Sequence, residues 1–321
     1  MDGIVSAEKL ESLRQPLIRH CYRMLGSAAD AEDAVQDTLI RAHERRDQYD
    51  PSRGALRTWL YRIATRICLD RLRGADRRML FGGPEHMDGD DLGVPLPPHR
   101  WVEPVPGARL FGTDDPADTA VERETVRLAF VALLQHLPAK QRAVLVLRDV
   151  LAYSAAECAD ILDTSVASVT SALQRARARL ADAREIEDAV ALSAPQVELL
   201  ERYVDAFESH DVAGLTNLLC ADARTSMPPF DWWIRGGSAI ATLMGATDDC
   251  ARDRFIVVDV NGAPGLGQYR PDEHDVLRPF ALIAVEARDG QIARTTTFLG
   301  MGDRFADFGL PDVFPHSSAV R

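Results

Sequence analysis

Between Leu56 and Arg78 the chain reads LRTWLYRIATRICLDRLRGADRR, with seven arginines against two aspartates. Guanidinium groups at that density neutralise phosphates, and the interleaved Trp59 and Tyr61 offer π faces to unstacked bases. Trp59, Leu60, Ile63, Ala64 and Ile67 recur at helical spacing and predict a buried face. Arg62, Arg66 and Arg73 fall roughly opposite, flanked by Arg57, Arg71, Arg77 and Arg78. Taken alone, such a helix is equally compatible with a solvated amphipathic surface. A second basic segment tips the balance toward nucleic acid. SAAECADIL, a break at Asp163-Thr164, and SVASVTSALQRARARL have the lengths of a helix-turn-helix. On its second helix Val166, Val169, Leu173, Ala176 and Leu180 are expected to pack inward, with Ser165 as the N-terminal cap. Ser168, Ser171, Arg175 and Arg179 face away, with Gln174 and Arg177 beside them. Small hydroxyls early on such a helix allow close approach to base edges, and later arginines suit guanine or phosphate.

The elements that must position these residues follow from composition and punctuation. Residues from about Ala7 to Arg78 read as helix, with a stop at Gly26, a restart at Ser27 or Asp30, and a turn-rich loop DQYDPSRG at 47–54. Residues 79–118 carry seven prolines and the acidic run Asp88, Asp90, Asp91, and read as a linker. Helical patterning returns from Pro116 to Arg184. From about Ala194 the chain predicts one or two helices, then strands RFIVVDV, GLGQYR, FALIAVEAR and QIARTTTF separated by NG, PD and DG turns.

The net charge of −12 over 321 residues looks wrong for a nucleic-acid binder until it is divided. Residues 1–185 carry 26 Lys and Arg against 28 Asp and Glu, whereas residues 186–321 carry 11 against 21. An acidic module fused behind a locally basic one either shields it or simply keeps it soluble. The five cysteines (Cys21, Cys68, Cys158, Cys220, Cys250) form no CxxC pair and no His/Cys cluster, which argues against a zinc site or disulfide framework and fits a reducing compartment. With no signal pattern and no apolar run of membrane length, a cytoplasmic chain without membrane contact is expected.

Together these residues resemble the sigma-70 family, specifically its extracytoplasmic-function (group 4) members, over about residues 1–185. DAEDAVQDTLIRAHE (30–44) resembles region 2.2, which docks on the β′ clamp of core RNA polymerase; LRTWLYRIATRICLDRLR resembles regions 2.3–2.4, which melt and read the −10 element; LPAKQRAVLVLRDVLAYSAAECADILDTSVASVTSALQRARARL resembles region 4, which reads the −35 element. The resemblance implies core binding through Asp30, Asp33, Gln36, Asp37 and Arg41, with the β flap as a further polymerase contact. It implies −10 recognition by Arg53, Arg57, Trp59, Arg62, Arg66 and Arg73, with the loop Asp47–Gly54 capturing a flipped base. Recognition of −35 would fall to Ser168, Ser171, Gln174, Arg175, Arg177 and Arg179.

Residues 195–310 resemble SnoaL-like domains of the nuclear-transport-factor cone fold, in which helices precede a curved sheet around a pocket. The matching stretches are ERYVDAFESHDVAGLTNLLCADARTSMPPFDWWIRG and RPFALIAVEARDGQIARTTTFLG, and WVEPVP (101–106) resembles the linker of sigma factors that carry this domain. Tyr203, Met227, Trp232, Trp233, Arg235, Phe280 and Phe298 are the expected pocket residues, and Asp222 and Asp231 the carboxylates available to a proton-transfer site. The expected architecture is therefore multidomain: two all-α sigma domains (7–78, a helical bundle; 119–185, a helix-turn-helix) joined by the linker 79–118, then an α+β cone at 195–310. The expected function is promoter-specific transcription initiation, with core polymerase and promoter DNA as partners, regulation in cis by the cone, and no catalysis, cofactor or metal. The alternatives are a bifunctional chain whose cone binds or converts a small metabolite, and a repressor using only the helix-turn-helix, which would have no need of a clamp-docking helix.

Overall fold

Glycine, serine and aspartate punctuate the N-terminal helices where their chemistry demands. The computed structural model describes residues 5–52, 54–74, 78–80, 92–111, 120–184, 190–191, 197–246 and 252–315. The chain divides into two units. The first is helical. Ser6 caps α1 (Ala7–Glu11), and α2 (Arg14–Leu25) ends on Gly26 at φ +70°. That left-handed conformation carries no Cβ penalty in glycine. Ser27 accepts the Asp30 amide and starts α3 (Ala28–Glu44). A short 3-10 turn leads to α4 (Leu56–Arg71), which stops seven residues before the helical expectation. After short turns α5 (Gly107–Leu110) and α6 (Ala120–Glu124) come α7 (Leu128–Gln135) and α8 (Ala139–Leu145), the latter running into a π-helical turn at Val146–Val150. A capping box of Ser154 and Glu157 opens α9 (Ala155–Leu162), Asp163 closes it at φ +53°, and α10 (Val166–Arg184) follows.

Leu17, Cys21 and Tyr22 of α2, Ala31 and Val35 of α3, and Leu60, Ala64 and Ile67 of α4 are buried together as the first core. Trp59 and Ile63 are only half-buried, because the buried face of α4 rotates to include Tyr61, Thr65 and Cys68. The α2 arginines reach outward from this core. Arg23 is fully buried, donating to the Thr125 and Glu122 carbonyls, while Arg19 meets the Leu110 carbonyl and the Glu122 carboxylate. Arg142 of α8 donates to the carbonyls of Met24, Gln135 and Leu137, capping the C-terminal ends of α2 and α7, where helix dipoles favour a cation. Arginine–carbonyl bonds thus help to join the helices before the linker to those after it.

His20, fully buried between Thr65 (2.9 Å) and the Tyr61 ring (5.0 Å), carries a pH consequence. Burial, then the Arg23 charge, pushes its pKa from 6.5 down to about 3. The folded chain keeps the ring neutral while the unfolded chain takes up a proton below pH 6.5, so stability falls as pH drops from 6.5 toward 3. At ~1.4 kcal/mol per pH unit, acidification to pH 5 is expected to cost about 2 kcal/mol through this group alone. The thermal midpoint of His20→Gln should therefore fall less between pH 7 and 5 than that of the parent. Parallel losses would remove His20 as the cause.

The second unit is α+β. Two residues of β1 (Val190–Ala191) precede α11 (Val197–Glu208) and α12 (Val212–Leu218). Then come β2 (Leu219–Ser226), β3 (Trp233–Arg235), α13 (Gly237–Ala246), β4 (Arg254–Val260), β5 (Ala263–Pro271), β6 (Leu277–Arg288) and β7 (Gln291–Leu299). The sheet order is β3-β2-β7-β6-β5-β4, with β1 on β6, and every pairing is antiparallel except β2 with β7. Asn261-Gly262 and Asp289-Gly290, all at positive φ, make the hairpin turns on either side of β5–β6. Bulges in β5, β6 and β2 bend the sheet, and Leu200, Tyr203, Leu215, Ile240 and Leu266 form part of the core beneath it.

The described residues of the proline-rich linker divide between the two units. Of these, 80, 92–101 and 105–107 cluster with the sheet unit, and 79, 102–104 and 108–111 with the helical unit. In the sheet unit the Pro229 carbonyl accepts from Leu96 N (2.7 Å) and Trp101 Nε1 (3.2 Å), and the Asn261 side chain accepts from Val105 N (2.9 Å). In the helical unit Glu103 accepts at the N-terminus of α3 from Ser27 Oγ and Ala28 N, and Tyr22 donates to its carbonyl.

Candidate functional site

The 3-10 turn and loop before α4 bring Gln48, Tyr49, Asp50 and Gly54 against Thr58, Trp59 and Arg62 on its first turns, around a cleft of about 180 Å³. Trp59 packs against Tyr49 with ring centroids 5.4 Å apart. Arg62 is half-buried, and its Nε has no hydrogen-bond partner. A half-open slot with an aromatic wall, a guanidinium donor and amide and carboxylate acceptors matches the stacking surface and polar edge of a nucleobase. Arg57 lies over the Tyr61 ring, Arg66 is exposed, and Arg73 pairs with Asp70. Arg53 lies outside the described residues.

The acids of α3 differ among themselves. Asp33, Gln36 and Arg41 are exposed. Asp30 binds Arg78 at 2.6 Å and Asp37 binds Arg71 at 2.9 Å. Two of the seven arginines of the basic segment are therefore turned back onto α3.

On α10, Val169, Leu173, Ala176 and Leu180 are buried as their spacing requires, and Ser165 accepts the Ser168 amide. Val166 is 47% exposed, a departure from the inward face expected for it: on the first turn, just past the Asp163 break, nothing covers it. Ser168, Gln174, Arg175, Arg177 and Arg179 are exposed and Ser171 is half-exposed, so the polar face is presented to solvent. Arg175 donates to Ser171, and Arg177 holds Asp149 through Nε and an Nη at 3.0 and 2.7 Å.

The same helical unit sets α9 beside α4. Asp160 of α9 lines the Trp59–Arg62 cleft, Asp163 lies 3.6 Å from Arg66, and Tyr153 packs edge-on against Tyr61. Carboxylates here occupy the rim of the cleft and the neighbourhood of an arginine, where they would repel an approaching phosphate. Both partners of the Arg66–Asp163 pair are largely exposed, and such contacts are weak and screened by salt. We expect Asp160→Ala/Asp163→Ala to raise the affinity of the free protein for single-stranded −10 DNA two- to fivefold, read by fluorescence anisotropy. Unchanged affinity would show that these acids do not compete with DNA.

In the sheet unit Tyr203, Met227, Trp232 and Phe280 line one cavity of about 240 Å³. Trp233, Arg235 and Phe298 are not among its walls. Trp233 and Arg235 sit on the short strand β3, half-buried and exposed respectively, with Arg224 stacked over the Trp233 ring. Phe298 lies between Thr297 and Leu299, which do line the cavity, so strand alternation turns it to the other face. Asp222 pairs with Arg288 and Asp231 is exposed. Gln268 and Arg270 of β5 and Thr225 and Thr297 supply the polar lining; for Gln268 and Arg270 the signal in the sequence was their i, i+2 spacing within GLGQYR. Among the described residues no His, Cys, Asp or Glu group could hold a metal ion, and no helix is long and apolar enough to cross a membrane.

Comparison with known proteins agrees with this layout. Sigma-70 region 2 matches residues 10–78 and sigma-70 region 4 matches residues 127–180. The chain is 42% identical over 314 residues to the ECF RNA polymerase sigma factor SigG of Mycobacterium tuberculosis, across 94% of this chain and 83% of that one. It is 33% identical over 174 residues to SigJ of the same organism, across 54% and 49% of the two chains. The crystal structure of the M. tuberculosis extracytoplasmic function sigma factor SigJ shares the fold, with a TM-score of 0.64 at 24% identity over 95% of this chain and all of that one. With its helical sigma regions followed by an α+β domain, the chain belongs to the extracytoplasmic-function RNA polymerase sigma factors.

Proposed function

We propose that this sigma factor divides promoter recognition among three surfaces of its helical unit and acts by binding, with no turnover of its own. Core polymerase docks on α3 through Asp33, Gln36 and Arg41. The −10 element enters the cleft of Tyr49, Trp59 and Arg62, flanked by Arg57, Arg66 and Arg73. The −35 element is read by Ser168, Ser171, Gln174, Arg175 and Arg179 of α10, while Arg177, already held by Asp149, orients that helix. The observation that carries this reading is the cleft, where an aromatic wall and an unpartnered guanidinium Nε meet beside a turn-rich loop.

The sheet unit regulates these surfaces in cis through the linker. Support comes from the bonding of Trp101 and Val105 within the sheet unit and of Glu103 at the start of α3, the polymerase-docking helix. Run-off transcription with core polymerase tests the recognition helix. Losing a base-reading arginine costs ~1–3 kcal/mol and relaxes specificity at one position, whereas losing a phosphate contact weakens all sequences alike. Arg175→Ala and Arg179→Ala should each lower transcription from −35-dependent templates about tenfold at moderate salt. Normal output from both across salt concentrations would move −35 recognition elsewhere.

A further inference from the structure

The cavity of the sheet unit is built in a way that sigma activity does not require. Its walls are mostly apolar, yet a complete ion pair stands at one side. Asp253, fully buried, accepts from Arg270 Nε (2.9 Å) and Nη2 (2.7 Å) and from Gln268 Nε2 (2.5 Å). The Arg270 guanidinium lies 3.7 Å from the centre of the Phe280 ring. Asp253 is fully buried and Arg270 keeps 28% of its side chain exposed; taking such a carboxylate out of water is costly, and the pair adds little to stability compared with apolar packing. A cavity with apolar walls likewise forfeits the packing contacts that a solid core would make. A domain that worked only through its outer surface would have reason for neither.

We propose that this cavity binds a neutral, largely apolar, ring-containing small molecule whose single polar group meets Gln268 and Thr297. The proposal concerns the sheet unit alone and does not rest on the reading of the sigma surfaces. Size follows from volume: about 240 Å³ lies just below the roughly 300–1,000 Å³ of pockets for drug-sized ligands. Neutrality follows from charge. Asp253 already neutralises the Arg270 guanidinium, so an entering anion would lose its hydration without gaining an unmatched cation. A cation would meet Arg270 itself. Polarity follows from the lining. With its amide nitrogen committed to Asp253, Gln268 has its carbonyl oxygen left to accept, and Thr297 adds a hydroxyl that can donate or accept.

Two probes with one skeleton separate these terms. N-phenyl-1-naphthylamine is neutral and carries one N–H donor; 1-anilinonaphthalene-8-sulfonate adds an anionic sulfonate. Titrated into the full chain, the neutral probe should bind saturably at one per chain and at least tenfold more tightly than the sulfonate. Thr297→Phe and Leu243→Trp, each filling the cavity, should lower that affinity tenfold or more. Methyl-labelled methionine NMR on the unmodified chain locates the probe independently of whether either variant folds. The Met227 and Met244 methyls, which line the cavity, should shift, and the Met24 methyl, buried in the helical unit, should not. Absence of saturable binding, tighter binding of the sulfonate, or shifts that bypass Met227 and Met244 would overturn the proposal.

Discussion

Asp33→Lys is expected to weaken binding to core RNA polymerase at least tenfold while leaving the thermal midpoint within a degree or two. Asp33 is exposed in the middle of α3, so its charge can be reversed without disturbing the core. Losing one member of a desolvated interfacial charge pair costs about 2–5 kcal/mol, and reversal adds repulsion; tenfold, or ~1.4 kcal/mol, is the conservative end. Asp37→Lys and Asp30→Lys are poorer probes. Each breaks a bond to an arginine of the same unit, Arg71 or Arg78, so lost stability and lost binding would arrive together. A pull-down with core polymerase at moderate salt, run beside a thermal melt, makes the distinction. If Asp33→Lys binds like the parent, α3 is not the docking helix in the manner assigned. If only the variants at positions 30 and 37 lose binding, their effect belongs to the fold.

The uneven roles of these three aspartates show where sequence reasoning reaches its limit. Local signals were legible. Gly26, Ser27, Ser165 and the two Asx-Gly hairpins stand where short-range backbone chemistry put them, because those residues are chosen by conformations within a few positions of themselves. The alternation in RFIVVDV and QIARTTTF located β4 and β7 for the same reason. Long-range partners were not legible. Nothing near Arg71 or Arg78 announces an aspartate 34 or 48 residues earlier. In the cone, choosing wall residues by aromatic character found Trp232 and Phe280. It also swept in Trp233 and Phe298, which strand geometry turns away, and it passed over the Asp253–Arg270–Gln268 group, in which Asp253 just before β4 meets two residues of β5. The linker is the largest case. Seven prolines and no periodicity read as a tether, yet its buried Trp101, Val102 and Val105 are fixed by tertiary partners far away in the chain.

That placement changes how regulation by the sheet unit must be tested. Ending the chain near Arg184 would strip Trp101 and Val105 of the groups that cover them, and any change in output would mix regulation with exposure of apolar surface. Two point changes release the linker more gently. Trp101→Phe keeps most of the buried ring and removes the hydrogen bond to Pro229. Asn261→Gly keeps the positive φ of 57°, which glycine adopts freely, and removes the oxygen that accepts from Val105 N. Each lost bond is worth about 1 kcal/mol, so the pair shifts the balance between held and released linker by ~2 kcal/mol, roughly thirtyfold in population. A released linker gives the two sets of sigma helices more reach, and α9 with Asp160 and Asp163 can then leave the Trp59–Arg62 cleft. The double variant is therefore expected to raise run-off transcription three- to tenfold and to bind single-stranded −10 DNA more tightly, with core affinity unchanged. A fall in output with intact core binding would reverse the sign, making the held linker part of the active state. Output and −10 binding equal to the parent's, in a protein shown by amide exchange to have freed residues 96–105, would remove the linker as the route of control.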